Sequence, residues 1–106
     1  VIVDLRKKSK TFSSWAGVML DSKNKNQLWI PKGFAHGFVT LSETALLDYK
    51  VTNFWSYELE RTLLWNDKKI SIDWPEISHN SSQIRLSSKD VKGLTLQNII
   101  DKGETF

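Results

Sequence analysis

The sequence predicts an all-β (mainly β) fold, in which several short strands form a sandwich or a barrel. Its 106 residues suffice for one domain with one core, which we expect to span residues 1–106. Apolar residues make up 40% of the chain and charged residues 25%, which excludes a disordered or collagen-like protein. The main indication of β structure is a series of short β-branched and aromatic runs that end at turn-forming residues.

Five such runs lie in the first half of the chain. Residues 1–6 open with Val-Ile-Val and predict a strand that begins without a cap or a turn, as in a chain whose upstream portion is not shown. Further strands are predicted over 15–20, 27–30, 35–40 and 44–52. A polar turn over 21–26 separates two of these strands, and Pro31-Lys32-Gly33 separates the next two.

The second half is less regular. Residues 56–64 are compatible with a helical turn or a loop, and 63–67 and 71–75 with short strands or turns. Residues 76–88 are polar and predict a loop. After Ser87-Ser88-Lys89-Asp90, the sequence predicts a short C-terminal helix near Leu94–Ile100.

Composition narrows the possible functions. The net charge of +3 is spread along the chain without a basic stripe, so we expect no nucleic-acid binding, although the charge suits a small anionic ligand. No apolar run approaches the ~20 residues of a membrane span, and no leader is evident, so we expect no membrane association. The absence of cysteine excludes disulfides and thiolate zinc sites and fits a cytoplasmic location.

The segment Pro31–Phe38 carries the clearest motif. A strand, a Pro/Gly turn and then His36 place an imidazole at the mouth of a β-barrel, and the order is similar to the cupin motif Pro-x-Gly-x-x-His. Metal-binding cupins add two His and a Glu, whereas this chain has one other histidine, His79, in the predicted polar loop. We therefore expect no metal. A structural role for His36 stays open.

Several motifs resemble one family when they are taken together and in order. They are Val3–Phe12, Trp15–Gly17, Asn24–Phe38, Leu47–Asn53, Leu64–Asp67, Ile72–Pro75 and Leu86–Asp90. The family is that of dTDP-4-dehydrorhamnose 3,5-epimerase. The resemblance implies a cupin-type jelly-roll barrel, a homodimer, no metal or organic cofactor, and a dTDP-4-keto-6-deoxy sugar as substrate.

The resemblance also implies catalytic roles for two residues. The reaction inverts C3 and C5 of the keto sugar through an enolate, which requires a base on one face and an acid on the other. Tyr49 matches the family's proton donor, and Asp90 matches the Asp that orients the base His. From the residues alone, Tyr49 is also compatible with a strand tyrosine at the rim and Asp90 with a helix N-cap.

Substrate-binding roles follow from the same resemblance. His36 and Glu60 match substrate-contacting residues, and Lys89 matches a basic residue beside the nucleotide. Trp55 lies where the family places a Tyr that stacks on thymine, and Phe54 is the alternative because the alignment is ambiguous by one residue.

The family's base His, its enolate-stabilising Lys and a diphosphate-binding Arg match positions upstream of Val1. We therefore expect a jelly roll that is incomplete at the N-terminus, with activity depending on the missing part. The alternative function is a non-catalytic cupin-like module that binds a sugar nucleotide or a protein.

Overall fold

The computed structural model describes residues 1–75 and 84–106, which form a three-stranded sheet, one 3₁₀ turn and two short helices. The elements are β1 (Ile2–Asp4), β2 (Trp15–Ala16), β3 (Phe34–His36), the 3₁₀ turn Tyr57–Leu59, α1 (Ser88–Val91) and α2 (Leu96–Asp101). This content is compatible with a mainly β class, and α2 is the helix that the sequence predicts near the C-terminus. Most of the predicted loop over 76–88, including His79, lies outside the described residues.

β1 is the central strand of the sheet, and it pairs antiparallel with β2 on one side and β3 on the other. Val3 lies opposite Trp15 in β2 and Ala35 in β3. The β-branched start of the chain therefore occupies the position with two neighbours, where such side chains pack best. β3 follows Gly33, whose φ of +90° a residue with a side chain rarely adopts.

The core joins the sheet to the C-terminal helix. Val3 and Leu5 of the first segment pack with Ile70 and Leu96, and all four are buried. Partly buried side chains surround this cluster, namely Phe12, Trp15, Ala35, Leu63, Ile72 and Ile100. The core is small, and residues 38–59 contribute no buried side chain to it.

A buried carboxylate fixes the loop that links β1 to β2. Asp4 is 2% exposed and accepts hydrogen bonds from Arg6, Ser9 and Thr11 side chains at 2.6–2.9 Å. These bonds, led by that of Arg6, hold the pKa of Asp4 well below its ordinary value although burial opposes them. The match between Asp4 and a local cluster of donors explains why a charge is tolerated in the core.

The last helix is held at both ends. Thr95 caps α2 by accepting from the Asn98 backbone N–H, and the buried Asp67 carboxylate accepts from the Leu96 N–H at 2.9 Å. After the helix, Gly103 takes a φ of +68° and its N–H bonds the Ile100 carbonyl, which closes a Schellman-type end.

The connection to α2 passes very close to the strand-like segment at Leu64. Leu63 and Leu94 form a parallel bridge, and a Cβ on Gly93 would lie 2.8–3.1 Å from backbone atoms of Leu63 and Leu64. We expect Gly93→Ala to lower the free energy of unfolding by about 1–3 kcal/mol, because the backbone must shift. Gly17→Ala is the matched control, since its Cβ would meet only ordinary contacts at 3.5 Å or more. Urea denaturation of both variants checks this, and equal stability would contradict the close approach.

The predicted strands of the first half are only partly realised. The runs over 15–20 and 35–40 form strands at Trp15–Ala16 and Phe34–His36, and neither 27–30 nor 44–52 pairs with a described residue. These two predictions of strand are wrong for the chain as described. The physical reason is that side-chain patterning favours an extended conformation, whereas a strand also needs a hydrogen-bonded neighbour.

Candidate functional site

Lys89 and Glu60 form the centre of the candidate site, although they lie 29 residues apart in sequence. Lys89 belongs to α1, Glu60 follows the 3₁₀ turn, and Lys89 Nζ donates to Glu60 Oε1 at 2.5 Å. This bond and the charge of Glu60 raise the pKa of Lys89 above its ordinary value. Asp90, the next residue of α1, adds a smaller electrostatic increase. The structure therefore brings three of the six predicted site residues, Glu60, Lys89 and Asp90, into one region.

This ion pair makes a pH-dependent contribution that can be measured. In the folded chain we expect the Lys89 pKa to lie above 10.5, and Glu60→Gln to return it toward that value. The stabilisation is fully present below the unfolded pKa and is lost as the pH rises through the folded one. Titration of the Lys89 side-chain carbon resonances checks this. An unchanged Lys89 pKa in Glu60→Gln would contradict the pairing.

Asp90 has a local structural role in the first turn of α1. Its backbone N–H donates to Ser87 Oγ at 3.2 Å, and that hydroxyl donates to Asp90 Oδ2 at 2.5 Å. The cap is therefore Ser87 rather than Asp90, and the two residues bond reciprocally. Asp90 Oδ1 accepts no hydrogen bond from the part of the chain that the structure describes, which leaves that oxygen for another partner.

The aromatic residues of the site are exposed. Tyr49 is 73% exposed and Trp55 70%, and the alternative stacking residue, Phe54, is fully exposed. The rings of Trp55 and Tyr57 are arranged edge to face, with 6.2 Å between ring centroids and 67° between planes. This contact orients Trp55, whose side chain remains largely exposed.

His36 belongs to the sheet. It occupies the end of β3, opposite Ile2, with an exposed side chain. Within residues 1–75 and 84–106, no hydrogen bond or ion pair joins it to Glu60 or Lys89. His36 therefore has no polar link to the Lys89–Glu60 pair in this part of the chain.

Arg61 is a positioning residue that the sequence analysis missed. Its Nε donates to Glu104 Oε1 at 2.6 Å, and its Nη1 donates to the carbonyl oxygens of Glu58 and Glu60. These bonds fix the backbone on both sides of the Glu60 side chain and tie it to the C-terminal segment. No sequence signal could have found the Arg61–Glu104 pair, because its partners are 43 residues apart.

Two cavities lie elsewhere in the fold. One of about 260 Å³ lies between Trp65 and Trp74, and one of about 410 Å³ is lined by residues from Leu64 to Gln97. Neither cavity contains a predicted site residue, so we place the site by its charged cluster rather than by concavity. In the described part of the chain, no three His, Asp or Glu side chains are placed to share a metal ion, and no helix is long and apolar enough to cross a membrane.

Comparison with known proteins identifies one family and several relatives of one name. A family model described as dTDP-4-dehydrorhamnose 3,5-epimerase matches residues 1–98. A Salmonella typhimurium protein of that name is 56% identical over 91 residues, which are 85% of this chain and 47% of the relative. An Escherichia coli protein of the same name is 48% identical over 100 residues, which are 94% of this chain and 52% of the relative.

A more distant relative, from Mycobacterium tuberculosis, carries the same name and is 27% identical over 103 residues. The chain spans about half the length of the curated relatives it matches, consistent with a C-terminal portion. One family model matches nearly the whole chain, and the relatives described above carry the same name. The resemblance of the motifs to this family is therefore confirmed. The chain belongs to the dTDP-4-dehydrorhamnose 3,5-epimerase family.

Proposed function

We propose that this chain supplies the proton donor and much of the nucleotide-sugar site of an epimerase. The reaction converts dTDP-4-keto-6-deoxyglucose into dTDP-4-keto-L-rhamnose by inversion at C3 and C5, as a step toward dTDP-L-rhamnose. The observation that carries this proposal is the ion pair of Lys89 with Glu60, which joins α1 to the 3₁₀ turn beside Asp90. These three residues and Tyr49 match the family's functional positions and come from three separate parts of the chain.

The chemistry requires an acid that faces a base across the sugar ring. A base removes the proton beside the C4 ketone, and the C–H electrons move into the ring to give an enolate on the C4 oxygen. The acid then delivers a proton to the opposite face, and the ketone re-forms with the centre inverted. The Tyr49 hydroxyl is a weak acid of the kind that can protonate such a carbon. After each inversion the base releases its proton to solvent, and Tyr49 takes one proton back from solvent.

The remaining residues of the cluster suit recognition of the nucleotide. The exposed Lys89 ammonium can exchange its bond with Glu60 for one with a diphosphate oxygen, which releases Glu60 to accept from sugar hydroxyls. Trp55, which is 70% exposed, offers a ring for stacking on thymine. His36 lies at the end of β3, so it would contact the same substrate only when further strands of the family's other half complete the sheet.

We further propose that the base His, the enolate-stabilising Lys and a diphosphate-binding Arg come from the half of the family's chain that lies outside the match. Asp90 Oδ1, which accepts no hydrogen bond from residues 1–75 or 84–106, would accept from that His and orient it. A complete jelly-roll barrel, a homodimeric assembly and a cytoplasmic location remain part of this proposal.

Solvent deuterium incorporation at C3 and C5 of dTDP-4-keto-6-deoxyglucose tests the function. We expect no incorporation with this chain alone, and incorporation at both carbons when the chain is joined to the amino-terminal half of the Escherichia coli relative. Incorporation by the chain alone would show that a base lies within these 106 residues. If the joined protein binds the nucleotide but incorporates no deuterium, the epimerase proposal is overturned and the non-catalytic binding module is favoured.

A further inference from the structure

The Lys89–Glu60 pair lies at one end of two stretches of chain that run side by side in the same direction. The stretches are residues 60–67 and 89–96, here called the site ladder. Among the residues that the structure describes, Leu94 is the one residue of the second stretch whose backbone bonds to the first, with hydrogen bonds of 2.7 and 2.8 Å. Its neighbours in the first stretch are Thr62, Leu63 and Leu64. The two backbones are therefore joined at a single point.

A single point of contact fixes where the two stretches meet and leaves the angle between them free, whereas a continuous parallel ladder fixes both. Side-chain bonds at the two ends of the site ladder restrict this angle. At one end lies the Lys89–Glu60 pair itself. At the other end, the Leu96 N–H donates to Asp67 Oδ2 at 2.9 Å. In sequence the two bonds lie on opposite sides of Leu94, so rotation of one stretch about that residue disturbs both of them.

The two ends of the site ladder differ in burial. Asp67 is 5% exposed and Leu96 is 3% exposed, whereas the Lys89 and Glu60 side chains are 59% and 31% exposed. An exposed ion pair contributes little because water competes for both charges. A buried hydrogen bond to a carboxylate is stronger, and breaking it leaves two buried groups without a partner. The Asp67 end therefore restricts the angle more than the exposed end does.

Asp67 can impose an angle because its own carboxylate is fixed. Its Oδ1 accepts from the backbone N–H groups of Lys69 and Ile70 at 2.8 and 3.1 Å, and Ile70 belongs to the core. Oδ2 is thereby aimed at Leu96, the first residue of α2. An N–H in that position has no acceptor inside its own helix, so its bond to Asp67 fixes the start of α2 and the chain just before it.

We infer that Asp67 is a positioning residue, which sets the angle of the site ladder and thereby holds Lys89 against Glu60. It bonds to neither side chain of the pair and acts through the backbone that leads from Leu96 back to α1. Without its bond to Leu96, the second stretch can rotate about Leu94, and the ion pair forms in a smaller fraction of molecules. The benefit of this positioning to nucleotide binding rests on the proposed function, whereas the positioning itself does not.

Asp67→Asn in the full 106-residue chain tests this inference. The amide oxygen can still accept from the turn, whereas the amide NH₂ group faces the Leu96 N–H, donor against donor. We expect amide hydrogen exchange at Leu96 to become about tenfold faster or more. We also expect the Lys89 pKa to fall from its raised value toward the value found in Glu60→Gln. Asp67 is not among the groups that raise the Lys89 pKa, so such a fall reports movement of the pair rather than loss of a charge.

Asp73→Asn is the matched control, because it removes the same charge from an exposed side chain. We expect it to change neither the exchange at Leu96 nor the Lys89 pKa. Faster exchange at Leu96 with an unchanged Lys89 pKa in Asp67→Asn would overturn the inference, because Asp67 would then stabilise α2 alone. Unchanged exchange at Leu96 would overturn it equally, because the bond would then be absent.

Asp67→Ser is a second variant for the case in which Asp67→Asn does not fold. A serine hydroxyl can accept from the N–H groups of its own turn, and it is too short to reach Leu96 as the carboxylate does. The same two changes are expected, and unfolding of both variants would overturn the inference by making Asp67 a purely structural residue. Absence of deuterium incorporation in the joined protein would defeat the proposed function and leave these results unaffected.

Discussion

Replacement of Tyr49 by Phe is expected to lower kcat for epimerisation by about 10²–10⁴-fold. The protein assayed is the chain joined to the amino-terminal half of the Escherichia coli relative, here called its complementary half. The substitution keeps the ring and removes only the phenolic proton. Proton abstraction by the base continues, so deuterium exchange should persist at a carbon whose configuration is no longer inverted. Product analysis by NMR separates these two events. This separation distinguishes an acid from a residue that merely shapes the site.

Tyr57→Phe provides the comparison, since it deletes the only other phenol of the sequence and keeps the ring that meets Trp55. We expect it to lower kcat less than about threefold. A Tyr49→Phe variant that loses exchange and inversion equally would point to loss of folding or binding. A variant that keeps full inversion would remove Tyr49 from the mechanism.

The second large effect is expected at Trp55, where Trp55→Ala should raise the Kd for dTDP by roughly 10- to 100-fold. Stacking of a base on an aromatic side chain contributes about 1–3 kcal/mol, and 1.4 kcal/mol corresponds to a tenfold change. Trp55→Phe should recover most of the affinity because it restores a ring. Isothermal titration of dTDP measures all of these constants.

Phe54→Ala distinguishes the two candidates for the stacking position. Phe54 is fully exposed and makes no described aromatic contact, whereas Trp55 is oriented by Tyr57. The larger loss of affinity is therefore expected for Trp55→Ala. The reverse order would assign stacking to Phe54 and shift the alignment of this segment by one residue.

The elements that were predicted well from the sequence are those whose stabilising contacts or end-capping residues lie nearby. The β-branched start of the chain forms the central strand β1, and the turn at Pro31–Gly33 leads directly into β3. The helix near the C-terminus follows from the cap at Thr95 and the glycine at 103. In each case the interactions that stabilise the element lie close in sequence or in a strand adjacent to it.

The strand predicted over 44–52 does not form, and the pair Lys89–Glu60 was not predicted, for different reasons. Alternation in 44–52 favours an extended backbone but cannot specify the neighbour that turns it into a strand. The partner of Lys89 lies 29 residues away, at a distance where sequence spacing carries no geometric information. Asp90 was considered as a helix N-cap, whereas the cap is Ser87, and Asp90 is the acidic partner three residues later in a reciprocal capping pair.

The measurement that tests the central claim most directly is an NMR titration of dTDP into the isotope-labelled chain joined to its complementary half. The account predicts that the largest shifts fall on Trp55, Glu60 and Lys89, with saturation of all three at one affinity. It also predicts little change at Trp65 and Trp74, which line the cavity of about 260 Å³. Shifts confined to that cavity, with Lys89 still bonded to Glu60, would contradict the assignment of the site.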